Sequence, residues 1–158
     1  MYLEKAEMDK QISSLNNNEL FNAISHFIGA LLSSFGLYLL IDKAQAQNIP
    51  MLSILIYAIP LILTFLFSAI LHYNLYRNRY YRLLGILDHV AIYLLIGGSY
   101  TPLFLLVIKG TMGWFFSLTT WAMIVISVFF KIFYFTRMPL KLSIASYLLP
   151  SCLFLLPM

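Results

Sequence analysis

Five apolar runs follow a polar lead of 19 residues, each separated from the next by a short polar break. They cover about 20–41, 51–76, 86–107, 114–135 and 142–158. Runs of roughly 18 or more apolar residues are long enough to cross the ~30 Å hydrocarbon core of a bilayer as helices. The last run is barely long enough to do so. All five are continuous, without the inside/outside alternation of barrel strands. The pattern therefore predicts an all-α fold, a polytopic transmembrane helical bundle. Residues 1–19 form a polar N-terminal arm, and 20–158 form the transmembrane domain.

Breakers and small residues give the runs internal detail. Pro60 should kink the second helix by leaving the carbonyl of Ile56 without its donor. Gly97, Gly98 and Pro102 loosen the second half of the third run, and Lys109 to Gly113 make a turn. Ser25, Gly29 and Ser33 recur every four residues, a seam suited to close helix packing. Trp114 and Tyr134 fit interfacial aromatic belts. The lead carries Glu4, Glu7, Asp9 and Glu19 against Lys5 and Lys10. It is too acidic for a signal peptide, although Ala44-Gln45-Ala46 mimics a cleavage site, and it reads as a flexible or surface-lying arm.

The charges orient the runs. With the N-terminus inside, Lys5, Lys10, Arg77, Arg79, Arg82, Arg137 and Lys141 all fall on the cytoplasmic side. Only Lys43 and Lys109 fall on the other. Basic residues are retained in the cytoplasm, so the N-terminus is assigned there. The start of the first span, the end of the second and the start of the third then share one depth. Asn22, Ser25, His26, Ser68, His72, Asp88 and His89 are expected to form one polar layer at the cytoplasmic leaflet. Ionisable groups are expensive inside a bilayer, and their default reading is functional.

Composition sharpens this picture. The chain is 61% hydrophobic and 10% charged, against about 25% charged in soluble domains. The net charge of +4 is no sign of nucleic-acid binding, because most of the basic residues sit at span ends. Membrane lipids are the expected partners. Cys152 is the only cysteine, so no intrachain disulfide is available.

His72 is a candidate metal ligand, since zinc favours imidazole nitrogen and catalytic zinc takes three protein ligands plus water. Asp88 is suited to accept a proton from such a water, and Ser68 to donate a hydrogen bond to a substrate oxygen. A plainer reading pairs His72 and Asp88 with each other or with Arg82 at the helix ends. Spacing alone favours that reading, because snorkelling and interfacial pairing are common there. His26 suits either packing or chemistry. No phosphate-cradling loop or nucleophile elbow occurs in the sequence.

Residues 87–102, LDHVAIYLLIGGSYTP, resemble the third-span motif of the bacterial hemolysin III family. That family is related to the progestin and adiponectin receptors and, more distantly, to alkaline ceramidases. Asn22 to Gly29 is similar to its first-span N-x-x-S-H-x-x-G, and Ser68 to His72 to its S-x-x-x-H. Gly113-Trp114, Trp121 and Lys131 also fall at family positions. The resemblance covers about Glu19 to Tyr147, and its ordered motifs make it specific. It implies seven helices, of which five are present here, and a zinc ion held near the cytoplasmic face by three histidines. On that resemblance His72 matches a zinc ligand, while Ser68 and Asp88 match the partners of the zinc-bound water. His26 and His89 match motif positions of less defined role. The H-x-x-x-H pair that supplies the other two ligands has no counterpart here, and residues 150–158 depart from the family pattern. The chain reads as a C-terminally truncated or frame-shifted product, or as a partial gene model.

Three functions follow as expectations. The first is a zinc-dependent, hydrolase-like protein of the bacterial plasma (inner) membrane, acting on lipid amide or ester bonds at the cytoplasmic leaflet. The second, from the family name, is a pore-forming cytolysin. The third is a membrane receptor or regulator, for which the short loops leave little outer surface.

Overall fold

The computed structural model describes residues 2–74, 80–134 and 144–148, with side chains from Asn17 onward. The elements are α1 (Tyr2–Ala46), α2 (Met51–Asn74), α3 (Tyr81–Pro102), a π-helical stretch (Leu103–Ile108) that continues α3, and α4 (Gly110–Tyr134). Four stretches are long and apolar enough to cross a membrane: Asn17–Ala46, Met51–Asn74, Tyr81–Ile108 and Gly110–Tyr134. The all-α membrane bundle is borne out, and the first four predicted runs each correspond to one helix. Arg77, Arg79, the basic loop from Arg137 to Lys141, and all of the fifth run except 144–148 lie outside the described residues.

The boundaries differ in three places. First, α1 starts at Tyr2, so the polar lead is helical and continuous with the first span. Its residues are mostly good helix formers, and no glycine or proline interrupts it before Gly29. At 1.5 Å per residue, the helix runs roughly 68 Å, about twice the hydrocarbon core, so its polar first part projects beyond the apolar span. Second, α3 starts at Tyr81 rather than near 86, with Arg82 exposed in its first turn. A long basic side chain there reaches the interface without ending the helix. Third, the turn expected over 109–113 contracts to Lys109 and Gly110, at φ 58° and 59°.

The α1–α2 connection explains itself locally. Asn48 adopts φ 54°, Ile49 N–H donates to the Ala44 carbonyl at 2.9 Å, and Asn48 N–H reaches that of Gln45 at 3.4 Å. This is a Schellman closure with asparagine in the left-handed position and Pro50 just beyond.

Each helix packs mainly on the next: α1 on α2, α2 on α3, and α3 on α4. The buried stripe of α1 runs through Ala23, Ala30 and Ala44, a seven-residue spacing of the kind that keeps one seam against a partner. It replaces the expected Ser25–Gly29–Ser33 seam only in part. Ser25 is exposed, whereas Gly29 lies so close to Phe65 that an added Cβ would come within 2.7 Å of its ring. On α4 the buried face carries Gly113, Ser117, Thr120 and Ser127, small residues that let helix backbones approach, together with Phe116, Ile124 and Lys131. Ser146 and Tyr147, in the short helical stretch 144–148, pack against α3. Sequential antiparallel packing puts the start of the α1 span, the end of α2, the start of α3 and the end of α4 at one end of the bundle.

Candidate functional site

That shared end holds the expected polar residues. Ser68 and His72 lie one turn apart on α2, and Asp88 sits in the third turn of α3. The Asp88 side chain is largely buried. It has the Ser68 hydroxyl as a hydrogen-bond partner, with His72, His26 and Lys131 in electrostatic reach. Because an ionised carboxylate only accepts, the Ser68 hydroxyl donates. Ser68, His72, Asp88 and His26 are therefore brought together, as the sequence suggested.

The partner of His72 was not foreseen. Its Nδ1 lies 2.5 Å from Oε2 of Glu19 on α1. The pairing of His72 with Asp88 or Arg82 that spacing favoured gives way to this contact, and Arg82 is exposed. On its ring face His72 stacks on His26, with centroids 5.4 Å apart and planes 6° from parallel. His26 in turn leans on Phe65 at 6.0 Å, whose ring fills the space that the missing side chain of Gly29 leaves open.

The remaining expected members sit at the edge. Ser25 is exposed, and its hydroxyl donates to the Asn22 carbonyl on its own helix at 2.9 Å. His89 points into a second group: its Nδ1 is 2.9 Å from the Tyr147 hydroxyl and 4.0 Å from Asp88 Oδ2. Beside it, the rings of Tyr147 and Tyr93 lie 4.7 Å apart, and the Tyr93 hydroxyl meets Ser146 Oγ at 2.6 Å. Sequence reasoning thus missed Glu19, Lys131 and Tyr147 as members of this end. Glu19 had a signal, since it falls seven residues before His26 and on the same helical stripe.

The zinc implied by the resemblance can be tested against these donors. An imidazole binds a metal in its own plane, so two stacked parallel rings cannot both direct a nitrogen at one ion. With Nδ1 held by Glu19, His72 has only Nε2 to offer. Among the described residues, no group of three or more His, Cys, Asp or Glu could hold a metal ion. This donor set does not fit zinc on its own.

Comparison with known proteins places the chain in context. A family model described as Haemolysin-III related matches residues 14–158. The Hemolysin-3 of Bacillus cereus is 38% identical over 133 residues, which is 83% of this chain and 60% of that protein. A Hemolysin-3 homolog of Bacillus subtilis (strain 168) is 37% identical over 123 residues, 75% of this chain and 56% of its own length. The chain therefore spans rather over half the length of these relatives. No solved structure matches it significantly.

Proposed function

The chain belongs to the hemolysin III family, and from that premise we propose that its polar end carries part of a hydrolase-like site acting on lipid amide or ester bonds. The observation that supports this most is the Ser68–Asp88 contact between α2 and α3. It sets a carboxylate and a hydroxyl at the same depth, beside two imidazoles. In this reading Asp88 accepts a proton from a water as its oxygen attacks the lipid carbonyl carbon. Ser68 turns its hydroxyl from Asp88 to the carbonyl oxygen, where negative charge grows. The amine or alcohol leaves with a proton and a fatty acid remains. Zinc belongs to this proposal as the cofactor of the complete family site. The described residues do not hold it, and no step is assigned to it.

The membrane is the bacterial inner membrane, with the N-terminus and the polar end at the cytoplasmic leaflet, on the strength of the basic residues at that end. Receptor and pore readings are less well supported. A pore needs polar residues along the whole membrane depth, whereas Ser68, His72 and Asp88 concentrate at one end. The test is reconstitution in vesicles of phosphatidylethanolamine and phosphatidylglycerol with added ceramide, read by mass spectrometry of released fatty acid. Release that is lost in Ser68→Ala and Asp88→Asn supports the proposal. Dye leakage without fatty-acid release, unchanged in Asp88→Asn and by chelator, would replace it with the pore.

A further inference from the structure

The contact between Glu19 and His72 is not explained by packing alone. Both side chains are mostly shielded, at 22% and 26% exposure. A carboxylate placed there gives up hydration that only a well-made hydrogen bond restores. Glu19 also belongs to the α1 stripe that faces α2, together with Ala23, His26 and Ala30. It is therefore held by helix packing rather than by a free loop.

We infer that Glu19 is the positioning residue of the polar layer, accepting from Nδ1 of His72 and so fixing Nε2 as the ring nitrogen left for the layer. The inference rests on the proposed site only in taking His72 as a member of its polar layer. Two contacts fix that ring in complementary ways. The 2.5 Å bond from Nδ1 to Glu19 Oε2 sets its rotation and its tautomer, because the carboxylate only accepts and the nitrogen facing it must donate. The stack on His26, 6° from parallel, sets its plane. His26 is itself backed by Phe65. Carboxylate, imidazole and free nitrogen then stand in the order used wherever a histidine acts as a base or a ligand, with the outer carboxylate orienting the ring. Asp88 and Ser68 do the proton and hydrogen-bond work of the proposed reaction. Glu19 is not among the groups that act on Asp88, and its contact with the layer is through His72.

The test needs neither turnover nor metal. The chain has three histidines, so 15N-histidine labelling in lipid nanodiscs, with single His→Gln substitutions for assignment, gives the tautomer of each ring. His72 is expected to be protonated on Nδ1, the minor tautomer of histidine in water. Glu19→Gln, which keeps an acceptor oxygen, should preserve that state, and Glu19→Ala should return the ring to Nε2–H. A wild-type His72 protonated on Nε2 alone overturns the inference even if no variant folds. So does a tautomer unchanged by Glu19→Ala. Vesicles that release no fatty acid while His72 keeps Nδ1–H would sink the hydrolase reading and leave the role of Glu19 standing.

Discussion

Gly98 of α3 rests directly on the carbonyl oxygen of Ile56 in α2, so that an added Cβ would strike backbone rather than a movable side chain. Ile56 is the residue whose carbonyl Pro60, having no N–H, leaves without a helical donor. The two helices thus approach closely at a carbonyl that Pro60 deprives of its helical donor. Gly98→Ala is expected to destabilise the protein by about 1–3 kcal/mol in denaturant unfolding from micelles. Gly36→Ala, with nothing within 4 Å of its new methyl, should be neutral or slightly stabilising. Equal effects from the two substitutions would contradict this packing.

Two buried threonines should respond in opposite ways to the same change. The Thr101 hydroxyl accepts from Trp121 Nε1 at 2.9 Å and donates to the Gly97 carbonyl at 2.7 Å. Thr101→Val strands the indole N–H and should cost about 1–3 kcal/mol, with a change in tryptophan emission. Thr120 is buried, and its hydroxyl has no hydrogen-bond partner among the described residues. Thr120→Val should therefore leave stability unchanged or raise it.

Asp88 and Lys131 should be energetically coupled. Lys131 is only 4% exposed and lies in electrostatic reach of Asp88. Asp88→Ala should destabilise the chain, because it removes a negative charge facing a buried ammonium. Adding Lys131→Met should recover part of that loss. A double-mutant cycle is expected to return a coupling of about 0.5–3 kcal/mol, and additive effects would show that the two do not interact.

Metal content is expected to distinguish this chain from longer relatives. Its three histidines include one stacked pair, His26 and His72, and His89, which is turned toward Tyr147. Purified protein is expected to retain zinc well below one ion per chain by elemental mass spectrometry. A full-length relative should retain about one and lose it when the residue matching His72 becomes alanine. Stoichiometric zinc in this chain that survives His72→Ala would contradict the ligand assignment.

The spans were legible in the sequence because bilayer thickness and helical rise set a length that few other structures need. Ser68, His72, Asp88 and His26 were legible because polar residues stand out in apolar runs and the turnover of the helices puts them at one depth. Glu19 was hidden by its neighbours. It ends a polar stretch that reads as an arm, and only its register with Ala23, His26 and Ala30 places it on the buried seam. Lys131 and Tyr147 were hidden differently, since their roles depend on how α4 and the stretch 144–148 pack against α3. Hydrophobic patterning does not encode that packing. Polarity does not reveal that the arm is helical, although Leu3, Glu4, Lys5 and Ala6 are good helix formers.

Cross-linking between α1 and α2 at the polar end tests the assembled layer most directly. With Cys152→Ser as background, the pair His26→Cys and His72→Cys replaces two rings whose centroids lie 5.4 Å apart. It should form an intrachain bond under mild oxidation or with a short dithiol-reactive linker in native membranes. The pair Phe27→Cys and His72→Cys, one residue round the helix at an exposed position, should not. Equal cross-linking of the two pairs, or none in the first, would mean that the two helices do not bring these residues together.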